Sequence, residues 1–355
     1  MRSHACKPNR NPPNLRPSEI SLAMLVLGVE SSCDDTAAAV LKDGRTILSN
    51  FVSSQDQVHG PYGGVVPELA SRQHIQSVLP IVDGALKNAG VTLKDIDGIA
   101  VTYGPGLVGS LLVGLSLVKG MSFRTGIPYV GVNHLEAHLL AIHLEYDVAF
   151  PYIALLASGG HTLLYSVRGV GDYLFLGGTR DDAAGEAYDK VAKMMGLGYP
   201  GGRPIDNLAK SGNPKAVRFP RAKLKKSAYE FSFSGIKTSV WHYLKAEGEE
   251  RWKNRQADIA ASFQEAVVDM LVNPTIKAAT ANAIGRIVLS GGVAANSRLR
   301  AKMKEKADSE GLQVFCPAPK FCTDNAAMIA LTGYHWLKRG RRDDFRLNAD
   351  ADLTL

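Results

Sequence analysis

The same strand–turn–strand pattern occurs twice in the sequence, and this repeat is the strongest constraint on the fold. Residues 25–41 and residues 152–167 each hold an apolar run, a short polar turn and a returning apolar run. Short apolar runs bounded by Gly, Ser and Asp are typical of strands joined in a hairpin. A third turn of this kind, at 290–292, follows another apolar run. The repeat predicts two related α/β lobes, each opening with a hairpin.

The segments between these hairpins have helical periodicity, and the predicted lobes span residues 24–148 and 149–338. Residues 180–265 are more charged, and we interpret them as a helical insertion in the second lobe. Residues 339–355 form a charged tail that we expect to lie at the surface or to fray. The basic, proline-rich residues 1–23 are either a disordered extension or a segment upstream of a native start at Met24.

Composition excludes several classes of protein. The longest apolar run, Leu107 to Val118, holds 12 residues and is too short to span a bilayer, so no membrane association is expected. The four cysteines are scattered, which favours a reducing cytoplasm over a disulfide framework or a zinc knuckle. No apolar segment of a secretory signal follows the basic N-terminus. The net charge of +7 permits binding to a polyanion without requiring it.

The stretch Asn-His-Leu-Glu-Ala-His at 133–138 runs into a helical pattern. On a helix His134 and His138 share one face, so they are either a structural pair or two ligands of one metal ion. Glu136 lies about 200° round the helix from each histidine and should point away from them. This differs from the zinc-protease signature, in which the glutamate adjoins the first histidine. With Asn133 as the N-cap, Glu136 is predicted to close a capping box.

Thr323-Asp324-Asn325 precedes the apolar helical run 326–331. Thr323 or Asp324 is a natural N-cap for that helix. Asp324 is alternatively a third metal ligand, because two histidines and an aspartate suit Fe²⁺ or Zn²⁺.

Paired glycines after strands, at 158–160 and 290–292, let backbone amides approach phosphate oxygens. Three polar turns at corresponding strand ends predict a nucleotide phosphate held between the lobes. The segment 181–190 is predicted to open a helix with acids in its first turn, and Asp189 either stabilises that helix or reaches a ribose hydroxyl. A basic cluster is either a solvated loop or a nucleic-acid contact; it comprises Arg218, Arg221, Lys223, Lys225 and Lys226.

Taken in order, these motifs closely resemble the TsaD family of tRNA N6-adenosine threonylcarbamoyltransferases over about residues 25–338. The family has the actin-like, sugar-kinase-like (ASKHA) ATPase fold, which the resemblance therefore implies here. The segments that carry the resemblance are 29–36, 133–138, 157–162, 181–190, 231–237, 290–296 and 322–325.

The resemblance implies one divalent metal ion per subunit, usually Fe²⁺ with Zn²⁺ as an alternative, held by His134, His138 and Asp324. It places Asp34 and Asp35 near the reacting centre, although many relatives carry Glu where this chain has Asp35. It also implies a set of substrate-binding residues: Leu156, Ala157, Ser158, Gly159, Gly160, Asp189, Gly202, Asp206 and Asn296.

The implied reaction moves a threonylcarbamoyl group from threonylcarbamoyl-AMP to N6 of adenosine 37 in the tRNA anticodon loop. Implied partners are a TsaB-like paralogue and a TsaE-like ATPase. Three other interpretations stay open: a metal-dependent peptidase, which the position of Glu136 opposes; a small-molecule kinase on the same fold; and a non-catalytic scaffold.

Overall fold

The computed structural model describes residues 23–222 and 228–355 and contains two five-stranded sheets with the same topology. The predicted extension 1–23, apart from its last residue, lies outside the described residues. The first sheet is built from β1 Leu25–Glu30, β2 Asp35–Lys42, β3 Thr46–Ser54, β4 Gly98–Gly104 and β5 Tyr129–Asn133. The second is built from β6 Tyr152–Ala157, β7 Thr162–Gly169, β8 Asp172–Gly178, β9 Arg286–Ser290 and β10 Gln313–Phe315.

Each sheet opens with an antiparallel three-stranded meander and continues with two parallel strands. The strand order is β3-β2-β1-β4-β5 in the first sheet and β8-β7-β6-β9-β10 in the second. The two predicted hairpins, β1–β2 and β6–β7, occupy equivalent positions. The prediction of two related lobes, each opening with a hairpin, is therefore confirmed.

Helices cover both faces of each sheet, as parallel strands require. The helices α1 to α6 are Asp56–His59, Pro67–Ala89, Val108–Thr125, His134–Leu140, Ala184–Met194 and Gly202–Ala209. The helices α7 to α12 are Ser234–Glu247, Glu249–Lys253, Gln256–Ala281, Ser297–Ser309, Pro319–Cys322 and Ala326–Lys338. In none of the helices within the described ranges do length and apolarity suffice for a bilayer crossing.

Two helices lie between the sheets and position the candidate site. Helix α12 packs on the first sheet so closely that a Cβ at Gly28 of β1 would lie 2.3 Å from the Ala326 carbonyl oxygen. Helix α4 packs on the second sheet, with Leu135 and Leu139 in one apolar cluster with Tyr152 and Leu156. The two helices also contact each other. Their junction is the place where residues from both lobes meet.

Two boundaries differ from the sequence predictions, and the tail adopts one of its two predicted arrangements, the surface one. Helix α12 lies in the predicted second lobe but covers the first sheet. The expected insertion ends before 265, since α9 begins at Gln256 and packs as one buried helix beneath the second sheet. The tail 339–355 does not fray: Asp343 N–H donates to the Tyr129 carbonyl (2.9 Å) and Asp350 N–H to the Tyr103 carbonyl (2.8 Å). The first bond covers part of the outer edge of β5, and the second reaches Tyr103 near the end of β4.

Candidate functional site

The histidine helix begins where the sequence predicts. Asn133 caps α4, because its side-chain oxygen accepts hydrogen bonds from Leu135 N–H (2.8 Å) and Glu136 N–H (3.3 Å). All seven residues of α4 are buried, and the rings of His134 and His138 lie 4.7 Å apart, centroid to centroid. The prediction that the two imidazoles share one face is confirmed.

Asp324 joins the two histidines from the segment before α12. Its Oδ1 lies 3.0 Å from His138 Nε2 and 3.5 Å from His134 Nε2. The predicted capping role of Thr323 or Asp324 is wrong, because Asn325 caps α12 by accepting from Met328 N–H (3.1 Å). With Asn325 in that role, the Asp324 carboxylate is free to face the histidines.

The donor set fits a metal ion. One ligand atom from each of His134, His138 and Asp324 lies within 4.8 Å of the others. Bonds of about 2.0–2.2 Å to a common ion place ligand atoms roughly 3–4 Å apart, so a small contraction suffices. The other nitrogen of His138, Nδ1, is buried with no hydrogen-bond partner among the described residues. Two imidazoles and one carboxylate are a donor set that Fe²⁺ and Zn²⁺ accept.

Glu30 also belongs to the candidate site, although no sequence pattern predicted a role for it. It ends β1, is fully buried, and accepts a hydrogen bond from His134 Nδ1 at 2.9 Å. Burial opposes the charged form of His134, but the carboxylates of Glu30 and Asp324 outweigh it and raise the pKa of His134 to about 9. A carboxylate behind a ligating histidine fixes the ring orientation and tautomer. The only earlier signal was the position of Glu30 within the motif 29–36.

Glu136 points away from the histidines, as predicted, but it closes no capping box. Its carboxylate accepts hydrogen bonds from the Tyr173 hydroxyl (2.8 Å) and from Trp336 Nε1–H (3.0 Å). Burial raises the pKa of Glu136, while both hydrogen bonds oppose that rise. A glutamate held in this way is turned away from the candidate metal ligands and is badly placed to act as a peptidase base.

The glycine turn at 158–160 packs against the start of α5, because a Cβ at Gly185 would lie 2.5 Å from the Ser158 carbonyl oxygen. Leu156 and Ala157 end β6 and are buried, whereas Gly159 and Gly160 are exposed. The 290–292 turn packs against the end of β6, just before the glycine turn, since a Cβ at Gly291 (φ +84°) would lie 2.3 Å from the Ala157 carbonyl oxygen. Exposed backbone amides beside a second tight turn form a surface that an anionic group can approach.

The remaining predicted substrate residues belong to α5, α6 and the start of α10, and several are already hydrogen-bonded. Asp189 accepts from Gly201 N–H (2.7 Å), immediately before Gly202 opens α6. Asp206 of α6 accepts from the Ser297 hydroxyl (2.8 Å), next to Asn296, which caps α10.

The acids Asp181 and Asp182 are not in the first turn of a helix, because α5 begins only at Ala184. Asp181 instead accepts from Phe233 N–H (2.7 Å), and Asp182 pairs with Lys237. Both acids hold the start of α7 against the second sheet, so they have a structural partner that the local sequence did not reveal.

Asp34 and Asp35 lie half-buried at the tip of the first hairpin. Burial, followed by the charges of Asp324 and Asp34, raises the pKa of Asp35 to about 8.

His161 lies close to His134 and His138, and the sequence predicted no role for it. Burial and the nearby charges of His134 and His138 lower its pKa to about 4, so it is neutral at physiological pH.

The basic cluster is only partly described, since Lys223, Lys225 and Lys226 lie outside the described residues. Arg218 is exposed, but Arg221 is engaged by Asp269, with Nη2 to Oδ2 at 3.1 Å. Arg221 therefore serves the ion-pair network of α9 rather than a free phosphate contact.

Comparison with known proteins gives a consistent result. A family model described as "TsaD: tRNA N6-adenosine threonylcarbamoyltransferase" matches residues 46–331. A protein of that name from Syntrophotalea carbinolica is 55% identical over 332 residues, covering 94% of this chain and 97% of the relative. One from Geobacter sp. (strain M21) is 56% identical, covering 92% of this chain and 95% of the relative.

Solved structures of much lower sequence identity are similar to this chain in fold alone. Full-length HypF superposes with a TM-score of 0.59 at 14% identity, covering 91% of this chain and 56% of HypF. Component A of the Acidaminococcus fermentans (R)-2-hydroxyglutaryl-CoA dehydratase superposes with a TM-score of 0.53 at 17% identity, covering 90% of this chain and 100% of that one. The predicted ASKHA-type two-lobe fold is confirmed.

Proposed function

Because this chain belongs to the TsaD family of tRNA N6-adenosine threonylcarbamoyltransferases, we propose that it modifies adenosine 37 of tRNAs that read codons starting with A. The group transferred is threonylcarbamoyl, the donor is threonylcarbamoyl-AMP, and the product is t6A. The observation that carries the proposal is the convergence of His134, His138 and Asp324 at the junction of the lobes. The enzyme is thus an acyltransferase of tRNA modification.

In the proposed step, the N6 lone pair attacks the carbamoyl carbon, and the bond from that carbon to the phosphate oxygen breaks. AMP leaves with the electron pair of that bond, and N6 must lose a proton. Asp35 is the proposed acceptor, because it lies at the hairpin tip near Asp324, where burial and the Asp324 charge raise its pKa and so make it a better base than an exposed carboxylate. Asp34 lies beside it at the hairpin tip and is proposed to orient the incoming amine.

His134, His138 and Asp324 are proposed to hold one divalent ion per subunit, Fe²⁺ in the family's usual assignment or Zn²⁺. When bound, such an ion polarises carbonyl and phosphoryl oxygens as a Lewis acid. Glu30 keeps Nδ1 of His134 engaged, which directs Nε2 toward the site.

The adenylate is proposed to lie along the glycine turn, where Gly159 and Gly160 are exposed and a Cβ at either position would meet nothing within 4 Å. Positioning accounts for much of the rate in such a reaction, because the mixed anhydride is already activated. The remaining proposed contacts with the adenylate are Leu156, Ala157, Ser158, Asp189, Gly202, Asp206 and Asn296.

The tRNA is proposed to contact Arg218 and the neighbouring lysines through its phosphates. Phosphate contacts release counterions, so the affinity should fall steeply with salt. The double variant Lys225→Ala with Lys226→Ala should flatten the salt slope by roughly one to two units and leave adenylate binding unchanged. An unchanged slope would assign these lysines to a solvated loop.

A TsaB-like paralogue and a TsaE-like ATPase are the proposed partners, and the proposed compartment is the cytoplasm. Helices α2 and α3 pack together and leave apolar side chains exposed, among them Ile75 (64%) and Leu79 (61%) one turn apart on α2. Val108 and Leu112 are likewise exposed one turn apart on α3, and exposed apolar residues that form a patch mark protein interaction sites. Ile75→Asp should abolish co-elution with the paralogue, whereas Phe175→Asp, at an exposed site on the second lobe, should not.

The proposal is tested by incubating the protein and its partners with unmodified tRNA and threonylcarbamoyl-AMP, followed by mass spectrometry of the nucleosides. We expect t6A together with AMP in equal amounts. ADP release from ATP with a small acceptor would instead support a kinase, and metal-dependent peptide cleavage would support a peptidase. Absence of t6A with every tRNA tested would contradict the proposal.

A further inference from the structure

The buried carboxylate of Glu136 lies on the side of α4 opposite the histidines. Glu136 is only 4% exposed, and each of its two oxygens accepts one hydrogen bond. One donor is the hydroxyl of Tyr173 and the other is Nε1–H of Trp336. Burial of a carboxylate is costly without such partners. An apolar side chain would fill this position at lower cost, so the carboxylate has a role beyond filling space.

The two donors come from the elements that α4 must be held against. Tyr173 belongs to β8 of the second sheet. Trp336 belongs to α12, the helix that begins two residues after Asp324. The carboxylate of Glu136 therefore links α4, which carries both histidines, to α12, which directly follows the segment with Asp324.

Because of the geometry of α4, this link affects whether the three ligand atoms converge. The helix has seven residues, and Glu136 lies about 200° round the axis from each histidine. Side-chain atoms lie roughly 5–6 Å from a helix axis, so a rotation of about 10° moves a ligating nitrogen by about 1 Å. Metal–ligand distances tolerate only about 0.2 Å. A contact that stops rotation of α4 therefore controls whether the ligands converge.

We propose that Glu136 is a positioning residue for the metal ligands, acting through Tyr173 and Trp336 to fix the rotation of α4 and its distance from α12. It touches neither substrate nor metal. The inference rests on the metal site proposed above, and it gives the central glutamate of the 133–138 motif a function that does not involve bond cleavage.

The test measures cobalt(II) dissociation constants by chelator competition, together with the cobalt absorption spectrum, well below the melting temperature. Glu136→Ala and Tyr173→Phe should each weaken cobalt binding on the order of tenfold. Glu136→Gln should retain most of the affinity, because its amide oxygen still accepts from Trp336 and its amide nitrogen can donate to Tyr173. If Glu136→Ala does not fold, Tyr173→Phe and Glu136→Gln carry the test.

Tyr129→Phe is the matched control. Like Tyr173→Phe, it removes one hydrogen bond of a tyrosine hydroxyl, here to the Asp344 carbonyl (2.6 Å), but at the tail rather than at α4. Cobalt affinity in this variant should stay within twofold of wild type. Equal loss in the control and in Tyr173→Phe would overturn the inference, as would unchanged affinity in Tyr173→Phe and Glu136→Ala. A wild-type protein that binds no cobalt would overturn the metal site and this inference together.

Discussion

Replacing Glu30 by Gln should weaken the site without changing its shape. Glu30 Oε2 accepts from His134 Nδ1 (2.9 Å) and Thr102 Oγ1 (2.7 Å), and Oε1 accepts from Ser32 N–H (2.5 Å). A glutamine offers one acceptor oxygen, so its NH₂ group must face at least one of these donors. The substitution also removes the negative charge that balances a protonated His134.

The magnitude follows from those contacts. A hydrogen bond to a charged group contributes about 1.5–3 kcal/mol, and the free energy of unfolding of the metal-free protein should fall by about that amount. Cobalt affinity should fall by about 10- to 100-fold, the effect expected for a residue that orients a ligating histidine. The measurements are urea unfolding and chelator competition. Thr102→Val is the control, because it removes one donor to Glu30 and keeps the charge.

The pH dependence gives an independent check on the Glu30–His134 pair. The pKa of His134 is raised from 6.5 to about 9, so its stabilisation is complete below 6.5 and is lost as the pH rises through 9. Burial raises the pKa of Glu30, but the charge of His134 and the hydrogen bonds from His134 and Ser32 together lower it below 4.5. Its stabilisation is therefore present above pH 4.5 and lost on acidification. The stability gap between wild type and Glu30→Gln should be largest between pH 4.5 and 6.5 and narrow toward pH 9. A gap that is independent of pH, with cobalt affinity unchanged, would refute this account of Glu30.

Three further predictions concern other parts of the molecule. Metal binding at pH 7.5 should release about one proton, because the raised pKa of His134 leaves it protonated in the metal-free protein. Calorimetry in buffers of different ionisation enthalpy measures this release. Zero release would contradict the assignment of His134 as a ligand. Deletion of residues 343–355 should lower the free energy of unfolding by roughly 3 kcal/mol or more. Several hydrogen bonds of about 0.5–1.5 kcal/mol each are lost, and the β5 edge is exposed. An unchanged urea midpoint would show that the tail does not dock. Gly291→Ala should destabilise the protein by about 1–3 kcal/mol and weaken adenylate binding. Gly292→Ala should be nearly neutral, because its new Cβ would meet nothing closer than 3.9 Å. Equal effects of the two variants in thermal unfolding would contradict the close packing of the two turns.

Local patterns accounted for much of the architecture. The apolar runs and their polar turns located both hairpins, because side-chain alternation and turn residues act over a few positions. The cap at Asn133 and the shared face of His134 and His138 follow from helix geometry alone. Asp324 could be named as a third ligand from its residue type, but its closeness to the histidines depends on the packing of α12 against the first sheet.

The errors arose where distant contacts outweighed local ones. Glu136 was expected to cap its own helix, but Tyr173 and Trp336, 37 and 200 positions away, supply its hydrogen bonds. Asp181 was expected in a helix and instead binds the start of α7. The tail was expected to lie at the surface or to fray; it lies at the surface, and backbone hydrogen bonds to the first sheet keep it from fraying. In each case the deciding partner is contributed by a different element, which local periodicity does not encode.

The central claim is that threonylcarbamoyl transfer takes place at the cluster of His134, His138 and Asp324. The most direct measurement is the t6A yield per enzyme in a single turnover with tRNA and threonylcarbamoyl-AMP, plotted against metal occupancy. The account predicts a yield proportional to occupancy for wild type and close to zero for His138→Ala, with circular dichroism showing both proteins folded. A folded, metal-free enzyme or a folded His138→Ala variant that forms t6A at the wild-type yield would contradict it.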